Sequence, residues 1–181
     1  MHGIIDMRRF DMKKAFAVLV FLCMSVCFAR EYITAEKTYI ERVKVGDKYI
    51  LMCEFTFTKD LDSKDISCNT VLSIYEGAKL LHKTASVSKT DLSEAAAFLE
   101  KMSVIAETLK EPNCLIASRT ESNALSARLF YADKELLFYI GNQNSRIKIK
   151  EIDCIKYFAD AFESMVGLYD KHQKEFSALS F

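Results

Sequence analysis

The first half of the chain, from Tyr32 to Val87, alternates between apolar and polar residues with a period of two. Around residue 54, the apolar members of one such run all fall on the same side: Leu51, Cys53, Phe55 and Phe57. This alternation is typical of strands with one buried face. Gly46-Asp47 and Glu76-Gly77 provide turn residues between the runs, and the charged segment 59–65 provides a loop. The pattern predicts four antiparallel strands in a meander.

After Asp91 the apolar period changes to three and four, which indicates an amphipathic helix. Asp91 followed by Glu94 resembles a capping box at the start, and Pro112 closes the element. The helix should be about 20 residues long, since the stripe covers about five turns. Its predicted buried stripe is Leu92, Ala95, Ala96, Leu99, Met102, Ala106 and Leu109.

The second half repeats this order of patterns. Residues 114–118, 124–132, 135–141 and 146–151 have strand patterns, and a second helix follows with the stripe Ile155, Phe158, Ala159, Phe162, Met165, Val166 and Tyr169. The predicted class is α+β, with antiparallel sheet and two helices in the order ββββα-ββββα. We expect one compact domain over 30–181. Two descriptions stay open: a single sheet, or two pseudo-repeated halves (30–111 and 112–181), each sheet holding a helix on one face.

The first 29 residues have the composition of a secretory signal peptide. Four basic residues precede an apolar run that starts at Ala15 and ends with the small residue Ala29. The run is too short for a comfortable membrane span, which needs about 20 apolar residues. We therefore expect cleavage after Ala29 and an exported, periplasmic or secreted protein. A lipid anchor at Cys27 or an uncleaved leader are the alternatives, and either Met1 or Met12 could be the start.

Composition excludes some partners and indicates a dense fold. Without the leader the chain has 152 residues, with 21 Lys and Arg against 23 Asp and Glu, and half of the whole sequence is apolar. A net charge near −2 gives no general attraction for nucleic acid or anionic lipid. We expect neither nucleic-acid binding nor a transmembrane segment after processing. A homodimer is left open.

Four cysteines remain after removal of the leader, and an even number in an exported chain favours disulfides. Cys53 and Cys68 should point to the inward face of neighbouring strands, Cys114 should open a strand and Cys154 should open the last helix. The expected bridges are Cys53–Cys68 and Cys114–Cys154, each within one half. Buried free thiols are the alternative.

No motif for catalysis, cofactor binding or metal binding can be assembled from the sequence. The isolated glycines form no phosphate-binding loop, dinucleotide fingerprint or nucleophile elbow. His82 and His172 have no metal-ligand spacing, and we expect both on the surface. Asp60, Asp62 and Asp65 could hold calcium, but interleaved lysines favour a solvated turn. We expect no catalytic residues, no cofactor and no metal.

The hairpin 128–139 is the best candidate for a ligand or partner surface. With Asp133-Lys134 as its turn, Phe130 should lie opposite Leu137 and Arg128 opposite Tyr139. Both faces of this hairpin are apolar, so we expect both to be buried. The last helix should cover one face, and the other half of the protein should cover the second. The functional alternative is a ligand groove or a dimer contact made by Arg128, Phe130 and Tyr139.

These observations favour a non-enzymatic, exported binding or interaction module of a bacterial envelope, with an unknown protein or small ligand as its partner. The alternative is a small exported hydrolase whose site is assembled in space, which requires His82 or His172 to be buried beside a Ser, Cys or carboxylate. The doubled ββββα order resembles the topology of single-strand nucleic-acid-binding modules of the Whirly and Pur type. The predicted export, the neutral charge and the lack of a basic-aromatic stripe argue against that function here.

Overall fold

The alternating first half folds as the predicted meander. The computed structural model describes residues 34–108, 114–120, 126–132, 135–141 and 146–180, with backbone alone at 107–108, 114–120, 131–132 and 135–136. Antiparallel pairing joins neighbours in chain order, and the four strands are β1 (Thr34–Val45), β2 (Tyr49–Asp60), β3 (Ile66–Glu76) and β4 (Lys79–Thr84). The predicted leader, including Cys27, lies outside the described residues.

The turn between β1 and β2 needs a glycine for two reasons. Gly46 has a φ of +60°, a backbone conformation that glycine adopts without a steric penalty. A Cβ atom at this position would lie 3.2 Å from the ring of Tyr157, on the last helix. The turn therefore presses directly against that helix. Lys48, in the same turn, contacts Glu76 at 3.0 Å and Glu151 at 3.2 Å, which ties both hairpins to the segment before the last helix.

The first helix, α1 (Lys89–Thr108), begins before the predicted cap. Ser88 and Asp91 form a reciprocal capping box, because the Asp91 amide donates to Ser88 Oγ at 3.0 Å and the Ser88 amide donates to Asp91 Oδ2 at 2.8 Å. The prediction that Asp91 itself opens the box with Glu94 is wrong. Ser88 supplies the capping hydroxyl, and Asp91 takes the place that Glu or Gln usually holds. Pro112 and Leu109 lie outside the described residues.

The second half has the same element order as the first. Its strands pair antiparallel in chain order and a helix ends the fold: β5 (Cys114–Thr120), β6 (Ser126–Ala132), β7 (Glu135–Gly141), β8 (Arg146–Ile149) and α2 (Cys154–Ser177). The α+β class and the order ββββα-ββββα are confirmed. Cys114 opens a strand and Cys154 opens the last helix, as predicted.

The helices are exchanged between the two sheets, which the sequence did not predict. The strand neighbours of α2 are β1 and β2 of the first sheet, and those of α1 are β5 and β6 of the second. Each sheet thus holds a helix on one face, but that helix comes from the other half of the chain. The two helices pack on each other, and Lys89 contacts Asp170 at 2.6 Å across them. This exchange joins both halves in one core.

The core lies between the sheets and the helix layer. The buried side chains of α1 and α2 follow the predicted stripes, with Leu99, Met102, Phe158 and Phe162 fully buried. The sheet face that carries the buried apolar side chains is called the inner face below, and the opposite face is called the outer face. The edge strand β4 of the first sheet lies beside β7 and β8 of the second. Within the described residues, no helix has the length and apolarity to cross a membrane.

Candidate functional site

The predicted hairpin forms with the predicted register. Arg128 lies opposite Tyr139, and Phe130 lies opposite Leu137, across β6 and β7. The turn residues Asp133 and Lys134 are outside the described residues, but the flanking strands end and begin where the prediction places them. Register thus brings the three predicted surface residues to the outer face of the second sheet.

This outer face is covered in large part, and Leu137 and Ser126 are buried on it. On the inner face Leu129 and Phe138 are fully buried, whereas Arg128, Phe130 and Tyr139 are each partly exposed. The hairpin is therefore covered completely on its inner face and in large part on its outer face. A partly exposed Tyr and Phe beside a cation are the residue types that protein interfaces favour.

Two further cations complete the outer face, and sequence analysis missed them. Lys148, exposed on β8, lies opposite Tyr139, and Arg146 lies opposite Gly141. The sequence could have predicted them from the alternation Arg146-Ile147-Lys148-Ile149, because this pattern places both cations on one side of a strand. The name second-sheet surface is used below for Arg128, Phe130, Tyr139, Arg146 and Lys148.

All the charged side chains that the structure describes on the second-sheet surface are cations. Its central row runs Arg128, Tyr139, Lys148 across three strands, and no Asp or Glu is among the described side chains of this face. The hairpin tip beyond it carries Glu135 at the start of β7. Arg146 Nε donates to Ser126 Oγ at 3.2 Å, which fixes one of the cations. Arg128 Nε is buried and has no hydrogen-bond partner among the described side chains. The total charge of the chain is close to zero, so it did not indicate this local excess of positive charge.

Both histidines are buried, so the prediction that they lie on the surface is wrong. His82 is on the inner face of β4, opposite Ile74, and is 2% exposed. Neither of its ring nitrogens has a hydrogen-bond partner in the part of the chain that the structure describes. Burial lowers the pKa of His82, because an apolar environment disfavours the charged imidazolium.

The second histidine, His172, is held between two carboxylates. Nε2 lies 2.5 Å from Glu41 Oε1 on β1, and Nδ1 lies 3.3 Å from Glu175 Oε2 on the same helix. The ring also stacks on Tyr39, with centroids 4.1 Å apart. Both nitrogens can donate only in the imidazolium form, so that form satisfies both carboxylates.

Among the described residues, the hydrogen-bond partners of His172 do not include a nucleophile. A histidine base in a hydrolase uses one nitrogen for the orienting carboxylate and leaves the other for a hydroxyl or thiol. At His172 both nitrogens contact carboxylates, Glu41 and Glu175. The criterion of a buried histidine beside a carboxylate is met, but the arrangement joins α2 to β1 rather than activating a Ser or Cys.

The predicted disulfides are wrong, because Cys53, Cys68 and Cys154 are free thiols. Cys53 and Cys68 do face inward, but Cys53 lies opposite Leu72, four residues along β3 from Cys68. That offset is about 13 Å, at about 3.3 Å per residue, well beyond the reach of a disulfide. Cys154 begins a helix whose strand partners are β1 and β2 rather than β5. The side chain of Cys114 lies outside the described side chains.

The free thiols are shielded rather than reactive. Burial raises the pKa of Cys53 to about 12, and burial is also the main cause of the raised pKa of Cys68 and Cys154. Thiolate is the reactive form of cysteine, so a raised pKa suppresses nucleophilic chemistry at neutral pH. These cysteines behave as small core residues.

The acidic loop at the end of β2 is a turn. Asp60 Oδ1 accepts hydrogen bonds from the backbone amides of Asp62 at 2.8 Å and Ser63 at 3.1 Å. This is the usual way in which Asp stabilises a turn through its own side chain. Across the part of the chain that the structure describes, no three His, Cys, Asp or Glu side chains are grouped to hold a metal ion.

A cavity of about 310 Å³ lies between the helices. Small residues from both helices form its floor, and three carboxylates, Glu100, Asp160 and Glu163, line it. Carboxylates alone do not define a ligand. The second-sheet surface therefore remains the candidate functional site. Comparison with family models and with curated proteins finds no match for this chain.

The unpartnered His82 leads to a pH prediction. Its pKa is lowered in the folded protein, so below about pH 6.5 the unfolded chain binds a proton that the folded chain resists. Stability should therefore fall as the pH drops below about 6.5. His82→Leu should remove this part of the loss, about 1 kcal/mol between about pH 7.5 and 5.5. Urea unfolding of both proteins at the two pH values measures it, and an equal loss in both would contradict the assignment.

Proposed function

We propose that this protein is an exported binding module of a bacterial envelope whose second-sheet surface holds an acidic segment of a partner protein. The observation that carries the proposal is the row Arg128, Tyr139, Lys148, in which two cations flank a partly exposed tyrosine. Arg and Tyr are the residue types that most often dominate binding energy at interfaces. Phe130 lies in the neighbouring row, opposite Leu137, and adds apolar area beside these cations.

The shape and chemistry of this surface favour a protein segment. A strand face is shallow, whereas drug-sized molecules bind in concave sites. Carboxylates on a partner would pair with Arg128, Arg146 and Lys148, and its apolar side chains would cover Phe130 and Tyr139. Charge complementarity of this kind contributes mainly to specificity and to the association rate. Single-stranded nucleic acid would also be attracted by cations and aromatic rings, so it is a comparison in the test.

An acidic peptide tests the proposal. A short labelled peptide of Glu, Asp and Leu should bind in fluorescence anisotropy, and its counterpart with Lys in place of the acids should not. Lys148→Glu should weaken binding by about tenfold, about 1.4 kcal/mol, because a cation on the surface becomes a repelling charge. Tyr139→Ala should weaken it by about 30-fold, on the scale of an interface hot spot. Lys101→Glu, with the same charge change on the exposed side of α1, is the matched control and should bind like the parent protein.

Three outcomes would overturn the proposal. Equal binding of the acidic and the basic peptide would show that charge does not select the partner. An equal loss in Lys101→Glu and Lys148→Glu would show that only net charge matters. Binding of a thymidine oligonucleotide but not of the acidic peptide would replace the proposal with the nucleic-acid function. Thermal melts within a few degrees of the parent protein would show that each variant is folded.

Export is the second part of the proposal, and it rests on the leader. The first described strand begins at Thr34, so removal of residues 1–29 leaves every described element intact. The free thiols give it no support, since they do not form the disulfides typical of exported proteins.

Mass spectrometry of the protein purified from its native envelope tests the processing. The mature N-terminus should be Arg30, because cleavage follows the small residue at the end of the apolar run. Replacement of Ala29 by Arg should block cleavage and leave the leader attached. A lipidated Cys27, or a leader retained by the parent protein, would contradict the prediction.

A further inference from the structure

The outer face of the first sheet has an apolar and cationic end that the proposed function does not use. At the hairpin end of this sheet one cross-strand row runs Lys44, Ile50, Tyr75 and Leu80. The next row runs Arg42, Met52, Ser73 and Lys83. Three cations thus lie within two adjacent rows, and neither row contains a carboxylate.

Apolar side chains in this region are open to solvent. Leu80 is 47% exposed, and Ile40, in the following row, is 59% exposed. Ile50 and Tyr75 are partly exposed, whereas Met52 and Ser73 are buried in the middle of the face. The name first-sheet patch is used below for Ile40, Arg42, Lys44, Leu80 and Lys83, because these are its most exposed members.

Beyond the two cationic rows this face is more polar and carries its acids, the first of which lies beside Ile40. Thr38 and Thr56 share a hydrogen bond of 3.0 Å between their hydroxyls, which confirms that both point outward. Glu54 lies in the row of Ile40, and Glu36 lies beyond the threonines. Glu36 is six residues from Arg42, about 20 Å along the strand. The face therefore changes from acidic and polar to cationic and apolar toward the hairpins, where Asp47 and Glu76 are the acids of the turns.

We propose that the first-sheet patch docks on the surface of an anionic lipid bilayer. Exposed aliphatic side chains surrounded by Lys and Arg are the combination that binds bilayer interfaces, because apolar burial and attraction to anionic headgroups act together. Aliphatic side chains such as Ile40 and Leu80 suit acyl chains, whereas nucleic acid would call for aromatic rings on which bases stack. A second copy of the chain fits poorly, since a two-fold contact would bring like charges together.

This inference does not depend on the proposed function, because it uses the other sheet. Each cation near an anionic membrane contributes about 1 kcal/mol, or roughly fivefold in affinity. Three cations should therefore raise the affinity for anionic vesicles by on the order of 100-fold. The attraction should weaken strongly at high salt.

Vesicle sedimentation tests the docking. The mature protein should sediment with vesicles of phosphatidylcholine and phosphatidylglycerol at low salt, but not with phosphatidylcholine alone. The triple variant Arg42→Gln, Lys44→Gln, Lys83→Gln should lose on the order of 100-fold in affinity. The control triple variant on exposed helix positions, Lys101→Gln, Lys156→Gln, Lys174→Gln, has the same charge change and should bind like the parent protein. Ile40→Ser should weaken binding without changing its dependence on anionic lipid.

Each opposite result would overturn the proposal. Equal sedimentation with both kinds of vesicle would remove the role of the cations. An equal loss in the two triple variants would reduce the effect to net charge. A loss confined to Lys148→Glu would place the bilayer contact on the second sheet, and dimerisation that Ile40→Ser abolishes, measured by light scattering, would assign the patch to a second copy. Circular dichroism of the variants verifies their folding, which these exposed positions should not disturb.

Discussion

Phe162→Ala should lower the free energy of unfolding by about 3–5 kcal/mol. Phe162 is fully buried at the centre of the α2 stripe, where the helix layer meets the sheets. The substitution removes the transfer free energy of the ring and leaves a cavity that packed neighbours fill only in part. Because the helices are exchanged between the sheets, this cavity weakens the contact between the two halves as well. Urea unfolding monitored by circular dichroism measures the change.

Two comparisons make this prediction specific. Leu99→Ala, at the centre of the α1 stripe, should cost about 2–5 kcal/mol for the same reason. Lys156→Ala, on an exposed position of α2, should change stability by less than about 0.5 kcal/mol. A loss below about 1 kcal/mol in Phe162→Ala would contradict the buried position of this ring.

Glu41→Gln should lower the free energy of unfolding by about 2 kcal/mol through the loss of its contact with His172. Hydrogen bonds to charged groups contribute about 1.5–3 kcal/mol, and removal of one partner leaves the other buried and incompletely paired. The contact joins the edge strand β1 to the last third of α2, so it fixes a helix from the second half on the first sheet. A double-mutant cycle of Glu41→Gln with His172→Gln should give a coupling energy above about 1 kcal/mol.

The second carboxylate at the same imidazole provides the control. Glu175 lies farther from the ring, at 3.3 Å, and its side chain is 47% exposed against 28% for Glu41. Exposed ion pairs typically contribute less than about 1 kcal/mol, so Glu175→Gln should have the smaller effect. Equal losses in the two single variants, or no coupling in the cycle, would show that the contact with Glu41 does not hold the helix.

The sequence was sufficient to predict the elements and much of the pairing. Period-two alternation placed Cys53 and Phe55 on the inner face, and the residues of the 128–139 hairpin fixed its register. These features depend on neighbours along the chain, so local pattern determines them. The helix stripes were predictable for the same reason, because Leu99 and Phe162 each lie at the centre of a 3.6-residue period.

Long-range placement was not predictable from these patterns. Nothing local to α2 indicates that it packs on the sheet of the other half, yet this exchange brings His172 to Glu41, 131 positions away in the chain. The same limit explains the failed disulfides, since an even cysteine count gives no register between Cys53 and Cys68. The local charge of the second-sheet surface was not predictable for a related reason. The total charge is near zero, whereas strand register gathers Arg128, Arg146 and Lys148 on one face.

The central claim is that the second-sheet surface holds an acidic partner segment, and backbone amide chemical-shift mapping tests it most directly. Titration of the acidic peptide into isotopically labelled mature protein should shift the amides of Arg128, Tyr139 and Lys148 and their strand neighbours. The amides around Lys101 should not move. Shifts confined to the helices around Glu100 and Asp160, or no shifts at peptide concentrations that saturate the anisotropy signal, would contradict the claim.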